Sequence, residues 1–228
     1  MVSHLHAGYW PEGPPTTPDQ ALAELRAGND RFVTGTRIHP NQDAEHRAAL
    51  ASAQSPFAAV FGCSDSRLAA EIIFDRGLGD LFVIRTAGHT IGPEVLGTIE
   101  YAVTILNLPL VVVLGHNSCG AVLAARDAVI RGAPPSGHLR AVVDAIVPSI
   151  GLATAQGIDD VDRIVDVHIQ RTVDQLQCES GALGVAVAGG RCAVVGMSYQ
   201  LSAGRIRLIE ASRPPRTAPG HRDAAVPD

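Results

Sequence analysis

The sequence predicts an α/β fold, a parallel β-sheet core flanked by helices and closed at one edge by an antiparallel strand. Three observations predict it. Segments 57–61, 81–84 and 110–114 are short, apolar on both faces and rich in β-branched or aromatic residues, as buried parallel strands require. A helical pattern lies between the last two, with Val95, Ile99, Ala102 and Leu106 on one face of 94–106. Strand, helix and strand in that order imply right-handed crossovers within one sheet. Finally, Arg191–Tyr199 and Arg205–Glu210 flank the turn-like Ser202-Ala203-Gly204, so they are expected to form the antiparallel hairpin at the edge.

The remaining elements follow in chain order. Residues 1–17, with Trp10, Pro11, Pro14 and Pro15, show no periodicity and read as an irregular arm. Thr17-Pro18-Asp19-Gln20 starts a helix: a threonine N-cap, proline at the first helical position and glutamine to close a capping box. Leu22, Leu25 and Phe32 continue it, and Gly28 is expected to interrupt it. Its apolar residues precede the core, so a neighbouring subunit is their expected burial partner. A short helix fits 44–53, and further helices are expected over 121–128, 138–147 and 159–177. In the last of these, Val161, Val165, Ile169, Val173 and Leu176 recur every three or four residues. Residues 18–212 form one domain, and 213–228, rich in Pro, Arg and Ala, a loose tail.

Composition removes several function classes. The 228 residues are 46% hydrophobic and 18% charged, which suits a single core. All 18 basic residues are arginine. Without lysine there is neither a Schiff-base nucleophile nor a P-loop phosphate ligand. A net charge of −5 without basic runs argues against a nucleic-acid partner. No apolar stretch reaches the roughly 18–20 residues that span a bilayer, and no cationic segment with an apolar run opens the chain. The expectation is a cytoplasmic protein with no membrane partner. Cysteines 63, 119, 178 and 192 are spaced by 56, 59 and 14 residues, which is neither a disulfide scaffold nor a C-x-x-C motif.

Two segments directly after expected strands carry the chemistry: Gly62-Cys63-Ser64-Asp65-Ser66-Arg67 and Gly115-His116-Asn117-Ser118-Cys119-Gly120. Loops at the carboxyl ends of parallel strands share one crevice, so Cys63 and His116 can be neighbours although 53 positions separate them. One helix-like turn brings His116 and Cys119 to the same ion. Two thiolates and an imidazole suit zinc, and three protein ligands leave the open position that distinguishes catalytic from structural sites. Asp65 and Arg67 can form a fork that keeps the carboxylate ionised. Beside a metal thiolate, that carboxylate can hydrogen-bond metal-bound water or swing in as the fourth ligand. Cys178 and Cys192 are read as core residues. His89 is weighed as a proton shuttle, with a surface or core role preferred.

Cys63-x-Asp65-x-Arg67 followed by His116-x-x-Cys119-Gly120 resembles the β-class carbonic anhydrases. The likeness extends from Asn29-Arg31-Phe32 through Arg85-Thr86-Ala87-Gly88 and Gly97-Thr98-Ile99-Glu100-Tyr101 to Tyr199, covering roughly residues 20–210. It implies a sheet of four parallel strands with an added antiparallel edge strand. It also implies one Zn2+ per chain held by Cys63, His116 and Cys119, with Asp65 and Arg67 as the catalytic dyad. The Gly120 amide would help to hold the bound anion. The implied reaction is CO2 + H2O ⇌ HCO3⁻ + H⁺ through zinc-bound hydroxide, in a homodimer or homotetramer whose N-terminal helical arm reaches over the neighbour. Arg85 and Tyr199 match two of three residues that bind regulatory bicarbonate in bacterial members. Val60 stands at the third position, a tryptophan in those members, so bicarbonate is expected to act weakly or not at all. Asn117 replaces an aspartate that many relatives carry, at a variable position.

Other readings remain open at this point. A related zinc hydrolase acting on carbon disulfide or carbonyl sulfide would use the same ligands and differ in access. A non-catalytic zinc-binding module would share them too, although the Asp65–Arg67 pair weighs against it. A cysteine phosphatase or rhodanese needs Cys-x5-Arg, whereas Cys63 precedes Arg67 by four and Cys119 precedes Arg126 by seven.

Overall fold

The computed structural model describes residues 13–209, so the expected tail and most of the irregular arm lie outside the described residues. Helix α1 (Pro18–Thr34) begins with the expected capping box: the Thr17 side chain accepts from the Gln20 amide, and the Gln20 side chain accepts from the Thr17 amide. Gly28 does not interrupt it. The helix runs through this residue because a Cβ there would collide with the Phe74 carbonyl, so the glycine permits close approach rather than a break. Helix α2 (Ala44–Ala49) passes into a 3-10 turn, Leu50–Ser52. There follow β1 (Ala58–Cys63), α3 (Ala70–Ile73), β2 (Leu81–Thr86), α4 (Pro93–Thr104), β3 (Leu110–His116) and α5 (Gly120–Arg131). The chain continues with α6 (Leu139–Ala155), α7 (Val161–Glu179), α8 (Gly181–Ala188), β4 (Ala193–Gln200) and β5 (Arg205–Ile209).

The five strands lie in the order β2-β1-β3-β4-β5, the first four parallel and β5 antiparallel to β4. Every residue of the central strands β1 and β3 is buried, which explains why they are apolar on both faces. Both run two residues past their apolar runs. Cys63 and His116 are therefore the last residues of strands, held by the ladder, rather than members of free loops.

Helix α1 buries part of its apolar face within its own subunit: Ala21 and Leu25 are fully inside, while Leu22 and Phe32 are partly buried against the same core. Asn29 fastens it by donating from Nδ2 to the carbonyls of Ile73 and Gly204 and accepting at Oδ1 from the Ile206 amide. Arg31 adds an ion pair to the buried Asp75 at 2.6 Å. A second departure is α8, whose Gly-Ala-Leu-Gly-Val-Ala-Val-Ala sequence is small and apolar all round and so shows no helical face.

Candidate metal centre

Three ligand-type side chains converge at the carboxyl ends of β1 and β3. Cys63, His116 and Cys119 are all buried, and each offers a ligand atom within 4.8 Å of the other two. Cys63 is placed by the strand ladder. The ring of His116 is oriented by its own neighbour: Nδ1 donates to the Asn117 carbonyl at 2.9 Å, since that oxygen can only accept. The Nε2 lone pair is thereby left for the cluster. Nε2 is fully buried and has no hydrogen-bond partner among the described residues. Cys119 is reached through a sharp turn in which Ser118 takes a left-handed φ of 54°. Two bonds hold that turn: the Ser118 amide donates to Asp162 on α7, and Asn117 Oδ1 accepts from the Leu201 amide, both at 2.8 Å.

The donor set fits zinc. Two soft sulfurs and a neutral imidazole with its free nitrogen aimed inward are what a tetrahedral zinc site with one open position uses. The orphaned His116 Nε2 is the independent sign, because a buried nitrogen without a partner is costly unless something binds it. The electrostatics treat the two sulfurs unequally. A hydrogen bond from the Cys119 thiol, with the amides of Asp65 and Gly88, favours the Cys63 thiolate. Cys119, facing that thiolate and buried, is pushed the other way, against the amides of Val122 and Ala121 at the start of α5.

Asp65 stands at the rim. Arg67 grips it in a fork, Nε to Oδ1 at 2.9 Å and Nη2 to Oδ2 at 2.7 Å, and the Arg67 amide adds a third bond at 2.9 Å. The Arg67 guanidinium holds the Asp65 carboxyl well below the usual carboxylate range. Asp65 Oδ2 lies 3.9 Å from His116 Nε2, and the Asp65 side chain is 18% exposed against 54% for Arg67, so the pair links the buried ligands to solvent. Gly120 opens α5 at an exposed position next to Cys119.

The other residues singled out from the sequence fall into place around this centre. Arg85 on β2 donates from Nε to the Cys63 carbonyl at 3.0 Å and from Nη2 to the Asp65 carbonyl at 2.6 Å, which ties the two residues together. Tyr199 pairs with His116 across β3 and β4 and is buried, as is Val60 in the middle of β1. His89 is fully buried against His168 and Phe61, so it takes a core role. Cys192 is a core residue whose thiol burial pushes up to about 12. Cys178 is not: it is exposed, because the end of α7 turns it away from the packed face.

Two contributions to the site were not anticipated. The Gly88 amide donates to Cys63 Sγ at 3.3 Å, and Asp162 supports the Ser118 turn from 44 residues away. The motif containing Gly88 is visible in the sequence, but its contact with sulfur is made through backbone and leaves no side-chain signal.

Comparison with known proteins adds to this geometry. A family model described as carbonic anhydrase matches residues 58–206. Carbonic anhydrase 2 of Mycobacterium tuberculosis is 53% identical over 195 residues, covering 86% of this chain and 94% of the relative. The β-carbonic anhydrase CafA of Aspergillus fumigatus superposes with a TM-score of 0.67 at 26% identity, over 86% of this chain and 92% of that one. One of two tetrameric β-carbonic anhydrases from Sordaria macrospora gives a TM-score of 0.66 at 23% identity, over 83% and 94% of the respective chains.

Proposed function

The chain belongs to the β-carbonic anhydrases, and we propose that Cys63, His116 and Cys119 hold the single zinc ion with which it reversibly hydrates carbon dioxide to bicarbonate and a proton. The observation that carries the ligand assignment is the buried, unpartnered Nε2 of His116 beside two sulfurs. A zinc ion bound there supplies a Lewis acid that lowers the pKa of water from about 15.7 towards about 7, as in the carbonic anhydrase with three histidine ligands.

The protein's own groups supply orientation. Asp65 remains an acceptor throughout the working pH range because Arg67 keeps it ionised. Its Oδ2, on the ligand side of the fork, can take a hydrogen bond from the attacking water and turn the lone pair of that water towards the carbon of CO2. The Gly120 amide, at the N-terminus of α5, offers a donor to the negative charge that develops on the product. Arg85 is already engaged with two carbonyls and Val60 presents no indole, which supports weak or no regulation by bicarbonate. The pH dependence of activity should shift weakly or not at all when bicarbonate is added.

Metal analysis paired with stopped-flow CO2 hydration tests the reading. The expected result is about one zinc per chain and hydration that a chelator abolishes. Stoichiometric zinc with no CO2 hydration but turnover of carbonyl sulfide or carbon disulfide would contradict it.

We further assign the protein to the cytoplasm as a dimer or tetramer. The described residues include no helix long and apolar enough to cross a membrane, and the four cysteines are free, in keeping with a reducing compartment. The partly buried Leu81, Phe82 and Val83 on edge strand β2 support association, as does the tetrameric state of the Sordaria macrospora enzymes. Sedimentation at micromolar protein should show the oligomer; a compact, active monomer would contradict it.

A further inference from the structure

Behind the ligands runs a buried line of hydrogen bonds that the chemistry above does not use. Ser149 Oγ on α6 lies 2.8 Å from His168 Nδ1 on α7, and His168 Nε2 lies 2.9 Å from the Gly88 carbonyl. Gly88 in turn donates its amide to Cys63 Sγ at 3.3 Å. The direction of every proton follows. A carbonyl oxygen only accepts, so Nε2 carries the His168 proton, Nδ1 is the acceptor and the Ser149 hydroxyl donates. Burial keeps the imidazole neutral, its acid form held down to about 4.

The turn that presents Gly88 needs such a hold. Gly88 and His89 both take left-handed φ values, 62° and 42°, and for His89 that is an uncommon conformation. A side chain at position 88 would press on Ile146 and Ala121. The His168 bond anchors the carbonyl of a residue whose amide meets the sulfur.

We propose that His168, oriented by Ser149, is a positioning residue for Cys63: it fixes the Gly88 turn so that its amide stays on the sulfur and tempers the charge the thiolate gives to the bound metal. The proposal rests on the reading of Cys63 as a ligand. Partners outside the ligand set are commonly worth about 10–100-fold in metal affinity or activity, and one acting through an intervening residue belongs at the lower end.

The test replaces zinc with Co2+ and records the sulfur-to-cobalt charge-transfer band and the rate of metal loss to a chelator. The proteins are the parent, Ser149→Ala, His168→Leu and His168→Gln, the last keeping an N–H donor near the Nε2 position. His168→Leu is expected to move the band to lower energy and lose metal about tenfold faster, with His168→Gln restoring both and Ser149→Ala falling between. A packing role alone would lower the melting temperature without moving the band. Parent-like band position and metal loss in His168→Leu would overturn the proposal; if that variant does not fold, the same result in Ser149→Ala would do so. A parent protein with no sulfur-to-cobalt band would instead overturn the ligand assignment, and the proposal with it.

Discussion

Two regions of this subunit bury polar groups and treat them in opposite ways. Where α1 docks on β5, Asn29 commits both its donor and its acceptor to backbone, and Asp75 collects Arg31 together with the amides of Ile38 and His39. At the carboxyl ends of β1 and β3, His116 spends Nδ1 on a carbonyl and keeps Nε2 buried and unpartnered, facing two sulfurs. The first region is saturated and holds the fold together. The second is left open inside a closed core, a costly arrangement that an ion held between the nitrogen and the two sulfurs would complete. Buried polarity by itself therefore says little about function. Nor is an unpartnered nitrogen enough, since both ring nitrogens of His89 lack a partner among the described residues in a core of rings. Unspent valence facing two sulfurs is what points to function.

Substitutions should separate the two regions, and the largest effect belongs to the open one. Cys63→Ser, His116→Ala and Cys119→Ser should each lose zinc and cost more than about 100-fold in CO2 hydration, the upper range for partners that only support ligands. Circular dichroism should remain parent-like. Full metal occupancy in any of the three, measured by elemental analysis, would remove that residue from the ligand set. Asp65→Asn sharpens the contrast within the site. It should keep zinc and lower hydration by about 100-fold, because a neutral amide cannot replace the ionised acceptor. Near-parent turnover at saturating buffer would exclude Asp65 from the chemistry.

The saturated region should answer in stability instead. Asn29→Ala strands two carbonyls and an amide, each worth roughly 1–3 kcal/mol if left unpaired, so a loss of about 4 kcal/mol is expected in denaturant unfolding. Zinc content and turnover of the folded variant should be unchanged. A smaller effect comes from pH. The acid form of His168 is suppressed by burial to about 4, against about 6.5 in the unfolded chain, so the unfolded state binds more protons between those values. Stability from this group is complete above about pH 6.5 and is lost as pH falls towards 4, on the order of 3 kcal/mol at most. His168→Gln should flatten that part of the stability profile, and an unchanged acid slope would show that other groups carry it.

Much of the site could be read from sequence because its ligands sit where apolar runs stop. The runs ending at Phe61 and Leu114 each lead through a glycine to a ligand, and parallel topology brings those ends together. What could not be read depends on contacts distant in sequence. Leu22, Leu25 and Phe32 reveal an apolar face on α1 but not what it docks on, and the Asn29 bonds that fasten the helix to its own subunit reach 175 and 177 residues along the chain. Gly28 looks like a helix breaker until the Phe74 carbonyl is seen against it. His168 sits among the apolar residues of α7, yet its bond to Gly88 spans 80 residues and ends on backbone. Such links follow from packing, which composition and periodicity do not encode.

That one zinc ion completes the open cluster can be read directly from X-ray absorption at the zinc edge of the loaded protein. The expected spectrum has two sulfur scatterers at about 2.3 Å and nitrogen or oxygen at about 2.0–2.2 Å, with the outer features of a single imidazole. One sulfur or none, three or more sulfurs, or no imidazole signature would contradict a centre built on Cys63, His116 and Cys119.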